Sequence, residues 1–542
     1  MSPQLTEDPL LQNESGAAPL PLGESLPAQR VRAGLVTRLS HGAGAGAVSY
    51  GLSIVGNLLL LPLYLRFWSV AVYGEWMALY SAVNYLANLD FGLTFAAINS
   101  ATIAYARGDI RTFKRVQGTT WAVSLLIAAI GILAVMALSV AYFHVNQWLG
   151  LRIMDQSDAR IVFCCLAIYF LITIPGRQLI SVYIAIGEFP RYQWLYNALV
   201  LFQLAVTAVA LALGAPPRVL AVVTVSSGVL SIVISMGLLY RRDPRLIPRI
   251  RNADWGTAKS LAAPTGQVGM AFIATALTLQ GPVIVLSRAL GGPAVALFTT
   301  TRTIANVIHG TVLLLRAPLR PELAAASADP SKNSLRRLFR IAVSVETVTS
   351  ISFAAVLWSI GGWLITVWSH HRIAPDQRLL HLMLAMVALE AFLQVLASAG
   401  WATNKIQGVS IGQMITAIAS IAVAVALVGR IGPSAVPMAG IALMAVVMAP
   451  LAVFNAHKET GLPIGFVVMR LLLPFGLIIG CAGFLPFAAS PIVSPLILFF
   501  GAVLVAAFIF LTAADRQMIR NRILSRFLSP VPFNAGTQES SR

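Results

Sequence analysis

Charge is what this sequence has least of. Asp, Glu, Lys and Arg together make 11% of 542 residues, and the 20 acidic residues face 38 basic ones. A soluble domain carries about a quarter charged residues, so a water-soluble fold is excluded. Cysteine is scarce too: Cys164, Cys165 and Cys481 all lie inside apolar runs, which leaves no disulfide framework and no zinc-ligand spacing. Long polar loops are also missing. The longest connection between apolar runs, "RRDPRLIPRIRNADWGTAKS", spans about 20 residues, too few for a soluble catalytic domain.

What is present is hydrophobic sequence: 58% of the residues, with a mean hydropathy of +0.80. The net charge of +18 raises the question of nucleic acid. The basic residues, however, fall in short clusters between apolar runs of roughly 20 residues, the length that crosses a bilayer as helix. The charge therefore reports topology, and no nucleic-acid partner is expected.

The first 42 residues are polar, Pro-rich and partly acidic, and Arg30, Arg32 and Arg38 come only just before the first apolar run. That order does not suit a cleaved signal peptide, so residues 1–42 read as a disordered cytoplasmic tail. Spans follow at 43–66, 75–100, 118–143, 160–186, 193–214 and 219–240, then at 262–288, 293–318, 338–368, 378–402, 408–429 and 436–456. Two more lie at 464–489 and 494–513, before a tail at 514–542. The basic clusters at Arg107, Arg111, Lys114 and Arg115, at Arg241 to Arg251, at Lys332 to Arg340 and at Arg516 to Arg526 fall on one side. Only Arg152, Arg218, Arg372, Arg378 and Arg430 fall on the other. Positive charge marks the inner side, which places both termini in the cytoplasm.

The fold class expected is an all-α polytopic membrane protein of about 14 transmembrane helices. The basic connector 241–261 divides an N-lobe, 43–240, from a C-lobe, 262–456, and residues 464–513 add two helices. An even number of spans in each half makes the repeats parallel. A shift of 222 residues brings Arg66 onto Arg288 and Asn84 onto Asn306 at the same two-helix position.

The stretch "NLLLLPLYLRFWSVAVYGEWMALYSAVNYLANLDFGL" has a proline near the end of span one, Tyr-Gly before span two and Asp-Phe-Gly late in span two. With "VALFTTTRTIANVIHGTVLLLRAPLRPELAAASADPSKNSLRRLFRIA" in the second half, it resembles the bacterial polysaccharide-biosynthesis flippases of the multidrug/oligosaccharidyl-lipid/polysaccharide exporter superfamily. The resemblance covers residues 43–115 and 262–345; elsewhere it rests on helix count and loop length. It implies two lobes around a central cavity and transfer of undecaprenyl-pyrophosphate-linked oligosaccharide across the bacterial cytoplasmic membrane by alternating access. It also implies partners among membrane lipids, a polysaccharide polymerase and other assembly proteins. No cofactor, metal site or covalent chemistry is expected.

Charged residues within the spans are the candidate site. Arg302 lies roughly 14 Å below the outer surface, at 1.5 Å per residue, near the middle of the bilayer. An arginine there costs at least about 2.5 to 3.5 kcal/mol to insert, so it calls for an aqueous cavity or a partner. Its planar fork suits a phosphate; the structural alternative is a fixed pair with Glu390 or Asp90. Arg316 and Arg320, four apart on one face, are substrate candidates, with snorkelling to lipid phosphates as the alternative. Arg177 follows Pro175 and Gly176, a pair expected to kink or break span four. Asn84 and Asn306 suit sugar hydroxyls or interhelical bonds. Arg66 and Arg288 belong to the outer rim.

Asp90 sits roughly 22 Å from the outer face. It reads either as a gating or coupling carboxylate paired with an arginine, or as a local cap on a half-helix kinked at Gly92. Glu346 and Glu390 are deep in spans nine and ten and suit coupling or a bond between helices. Trp68, Tyr73, Trp76, Trp148, Trp363 and Trp368 read as an interfacial aromatic belt. Two rival functions remain open. A cation-coupled drug antiporter of the same superfamily calls for an acidic, aromatic cavity and twelve spans. A membrane glycosyltransferase, polymerase or O-antigen ligase calls for a loop site, and "SHHRIAPDQR" is the sole outer segment with clustered His, Arg and Asp.

Overall fold

The computed structural model describes residues 59–141, 144–327, 333–402 and 407–465, with Val48, Gly51, Leu52 and Gly56. The N-terminal tail, the start of span one, spans thirteen and fourteen, Cys481 and the C-terminal tail lie outside the described residues, as do the side chains of Gln267 and Arg320. The described chain is helical with no strands. Helix α1 occupies 59–67, and α2 (Val70–Asn84), α3 (Leu93–Ala106), α4 (Ile110–Val140) and α5 (Val145–Leu149) follow. Next come α6 (Gln156–Ala185), α7 (Phe189–Ala212) and α8 (Pro217–Arg242). The second half comprises α9 (Trp255–Leu290), α10 (Gly292–Ser327), α11 (Asn333–Trp368), α12 (Gln377–Ala402), α13 (Gln407–Ile431), α14 (Ala435–Leu443) and α15 (Ala449–Thr460). The last two are joined by one π-helical turn, Met444–Met448.

Scarce carboxylates are used where helices begin. Asp109, Asp254 and Asp376 accept from the backbone N–H of Thr112, Thr257 and Leu379 at 2.9, 2.7 and 3.1 Å, satisfying donors that a helix start leaves free. Among the described residues, eight segments are long and apolar enough to cross a membrane. Helix α10 is not one of them, because Arg302, Asn306, His309 and Arg316 interrupt its apolar sequence.

The two halves repeat one packing scheme. Helices α2 and α3 pack on α6 as α10 packs on α12, and α3 packs on α4 as α10 packs on α11. Likewise α4 meets α6 as α11 meets α12, α6 meets α8 as α12 meets α14, and α7 meets α8 as α13 meets α14. The pairings match at an offset of six spans with the direction preserved, which is a parallel repeat.

The halves differ in their second spans. Span two is broken: α2 gives way to a 3-10 turn (Tyr85–Asn88), and the chain reverses its local twist at Phe91 and Gly92, with φ of 47° and 85°, before α3 starts. Only glycine takes the second conformation without a steric penalty. At the same shift of 222 residues the second half carries Val312, Leu313 and Leu314, and α10 runs straight through. The break expected in span four is absent. Helix α6 continues through Pro175, which is buried inside it, because the surrounding helices hold the segment despite the missing N–H.

The basic loops define one end of the molecule, and the halves are clasped at the other. There α2 runs against α9 and α10 so closely that a Cβ on Gly74 would stand 1.8 Å from the carbonyl oxygen of Gly292. Glu75, 1% exposed, receives the backbone N–H groups of Arg152, Ile153 and Met154 at 2.6, 2.8 and 2.7 Å. Ser287 of α9 donates to the carbonyl of Leu149 at 2.7 Å, and Arg372 donates to those of Leu65 and Trp68. Trp68, Tyr73 and Trp76 are buried with Tyr64 in this clasp rather than spread along an interface, since the turn after α1 folds their rings onto one another at 5.1 to 6.5 Å. Trp363 is exposed, as a belt residue would be.

Replacing Gly74 with valine forces α2 away from α10, an overpacking of about 1 to 3 kcal/mol. Spin labels at the exposed positions Leu213 and Met438, one in each half, should then show a longer and broader distance distribution. An unchanged distribution would mean that this contact does not hold the end shut.

Candidate functional site

The break in span two creates the first part of the site. In an unbroken helix the N–H of Phe91 would serve the carbonyl of Ala87; here it turns to Asn88 at 3.0 Å, and Ala87 is left without its helical donor. Arg177, half-exposed on α6, donates to that carbonyl and stands 3.9 Å from Asp90. Asp90 also accepts the hydroxyl of Thr94 at 2.8 Å and lies 3.5 Å from the N–H of Gly92. Asp90 thus faces an arginine and braces the turn before the second half-helix, although no side chain caps that helix's own N–H groups. A glycine of α9 admits the exposed loop, since a Cβ on Gly269 would stand 2.4 Å from the carbonyl oxygen of Phe91.

Helix α10 carries the second part. Arg302, Asn306, His309, Leu313 and Arg316 recur every three or four residues and so share one face; Arg320 continues the register. Half-buried Arg302 donates to the carbonyl of Leu279 on α9 and lies 5.4 Å above the ring of Phe298. Among the described residues no carboxylate lies within ion-pair distance of it. The fixed pair with Glu390 or Asp90 is therefore not formed: Asp90 turns to Arg177, and Glu390 lines a cavity with Arg316.

Arg316 is not a snorkelling residue. It is 5% exposed and gives Glu346 two bonds, at 2.9 and 2.7 Å, and the carbonyl of Ala391 a third at 3.2 Å, tying α10 to α11 and α12. Glu346, placed by sequence among coupling candidates, is the other half of this pair. Arg66 and Arg288 are both exposed at the clasped end, and Asn84 is half-buried in the last turn of α2.

A cavity of about 460 Å³ opens within the second half between α9, α10, α12, α13 and the π-helical turn. Asn306, Arg316 and Glu390 line it, three residues singled out from the sequence; so do His309, Gln394, Gln413 and Thr416, which were not assigned to the site. Glu75 was missed as well, although a lone carboxylate near the end of an apolar run was a readable signal. Among the described residues no three His, Cys, Asp or Glu side chains converge as a metal ion would require.

Two consequences can be measured. Arg316→Met removes the two charged bonds to buried Glu346 and should cost about 3 to 5 kcal/mol; adding Glu346→Leu should recover most of it in thermal unfolding of the detergent-solubilised protein. Asp90→Asn keeps one acceptor where Thr94 and Gly92 each use a separate carboxylate oxygen, and it loses the ion pair with half-exposed Arg177, about 1 kcal/mol. Gly92→Ala should be the more damaging change, because it places a side chain at positive φ.

No family matches the sequence, and no curated protein does. Solved structures do match. An inward-facing multidrug resistance MATE family transporter of the MOP superfamily aligns with a TM-score of 0.62 at 14% identity, over 74% of this chain and 95% of its own. The lipid II flippase MurJ in an inward closed conformation aligns at 0.58 and 12% identity, over 89% and 99%. A MOP superfamily transporter from Pyrococcus furiosus, described as having a binding pocket of reverse polarity, aligns at 0.55 and 12%, over 80% and 95%. The chain has the fold of these transporters.

Proposed function

We propose that this chain is a flippase that carries undecaprenyl-pyrophosphate-linked oligosaccharide across a bacterial cytoplasmic membrane by alternating access, for surface polysaccharide synthesis. The observation that carries the reading is Arg302: a guanidinium in mid-span, anchored through one donor to a backbone carbonyl, with no carboxylate among the described residues to neutralise it. Arg177 is anchored in the same way on the other half. A cation held so in a membrane is tolerable where an anion passes beside it, and the remaining donors of each fork suit phosphate oxygens.

By the positive-inside rule the end with the basic loops faces the cytoplasm. The clasp then lies on the outer side, an arrangement that loads from within. The lipid tail stays in the bilayer while the glycan crosses between the lobes, and no bond is made or broken. The membrane potential assists, because each negative charge moved outward gains about 2.3 kcal/mol per 100 mV. Consumption of the glycan by a polymerase outside adds direction. One observation favours cation-coupled drug export instead: Glu390 and His309 both line the cavity, and each is a side chain able to carry a proton.

Arg302→Ala should lower surface polysaccharide by about tenfold to a hundredfold, the loss expected for hydrogen bonds to a charged group, at unchanged protein level in the membrane. Arg302→Lys should retain part of it, and full polysaccharide in the alanine variant would remove Arg302 from the site. A deletion strain should accumulate lipid-linked glycan. Intact polysaccharide with raised sensitivity to cationic drugs would transfer the assignment to the antiporter.

A further inference from the structure

The cavity in the second half differs in chemistry from the two anchored arginines. Its cation is already matched: Arg316 is consumed by Glu346 and the carbonyl of Ala391. Its other lining carboxylate, Glu390, shares the space with His309. What remains unused is neutral. Asn306, Gln394 and Gln413 line the space, and no hydrogen bond joins them to another described residue. Thr416, 7% exposed, points a hydroxyl at the cavity that is buried without a partner. A buried hydroxyl left unsatisfied is costly, and here it stands beside free amides in a space large enough for a small ligand.

Three further features favour a sugar. Thr275, Thr278 and Thr303 bond their own helix carbonyls and keep free acceptor capacity toward the cavity. Leu279, Leu393, Met444 and Met448 supply apolar surface, as the C–H faces of a pyranose require. Both methionines come from the π-helical turn, a distortion that recurs at functional sites. The mouth lies between α9 and α10, where Leu279, Asn306 and Leu313 are exposed; a polar residue open to its surroundings in mid-span belongs to a wet passage. Arg302 stands at that mouth, on the carbonyl of Leu279 and one turn from Asn306.

We infer that this cavity is a subsite for a neutral sugar, the residue linked directly to the diphosphate, and that it selects against acidic sugars. The inference rests on the flippase reading above, with the diphosphate at Arg302 and the first pyranose reaching past Asn306 to Gln394, Gln413 and Thr416. A uronate carboxylate would meet Glu390 with no unpaired arginine inside the cavity to receive it.

The test uses full-length protein in lipid nanodiscs and three probes: undecaprenyl pyrophosphate, its galactosyl derivative and its galacturonosyl derivative, with binding followed by native mass spectrometry. The galactosyl lipid should bind at least about fivefold more tightly than the bare lipid, from several added hydrogen bonds, and the galacturonosyl lipid no more tightly than the bare one. Gln394→Leu with Gln413→Leu should erase the increment and leave binding of the bare lipid unchanged. Thr416→Val, which preserves shape, should reduce the increment without threatening the fold. Equal binding of the two glycosyl lipids, or an increment that survives in both variants, overturns the subsite while the flippase reading stands. Failure of the wild-type protein to bind even the bare lipid overturns both.

Discussion

A lipid interior donates and accepts no hydrogen bonds, so each polar group drawn into a span must find its partner within the protein. The break in span two shows the consequence in full. The Asp-Phe-Gly turn frees the carbonyl of Ala87, Arg177 takes it up, and Asp90 holds both the arginine and the start of the next half-helix. The same demand explains why Arg316, Glu346 and the carbonyl of Ala391 close on one another, and why Glu75 gathers three consecutive backbone N–H groups.

Set against these satisfied groups, the unsatisfied ones acquire meaning. Among the described residues Arg302 has a carbonyl and a ring face but no counter-charge, and the cavity beside it holds amides and a buried hydroxyl without partners. They lie on one face of α10 or across from it, while α10 itself is less apolar than the helices around it. The second half thus presents a helix suited to a polar passenger, and the first half meets it with a broken span bearing another arginine. Both sit behind a clasp in which glycine contacts let α2 approach α10.

Much of this was legible beforehand. The spans, their parallel repeat and the depth of Arg302, Asp90 and Arg177 within them follow from hydropathy, loop charge and position, which are local properties of the chain. Partners were not. Arg316 looked like a snorkelling residue because its distance along the helix suggested a headgroup; only packing revealed that α11 brings Glu346 to it. Pro175 looked like a helix breaker because its missing N–H can be counted, whereas the contacts that keep α6 continuous cannot. Gln394, Gln413 and Thr416 carried no individual signal, since a neutral polar residue in a span is as often a bond between helices.

By itself the sequence determined that this is an all-helical membrane chain with two equivalent halves, because the length and spacing of apolar runs leave no other arrangement that satisfies the backbone in lipid. It determined too that a few charges lie too deep to be accidental. Tertiary structure alone decided which of those charges are neutralised and which stand without a carboxylate among the described residues. Pairing depends on residues far apart in the chain being brought within about 3 to 4 Å, and no periodicity in a single strand of sequence contains that distance.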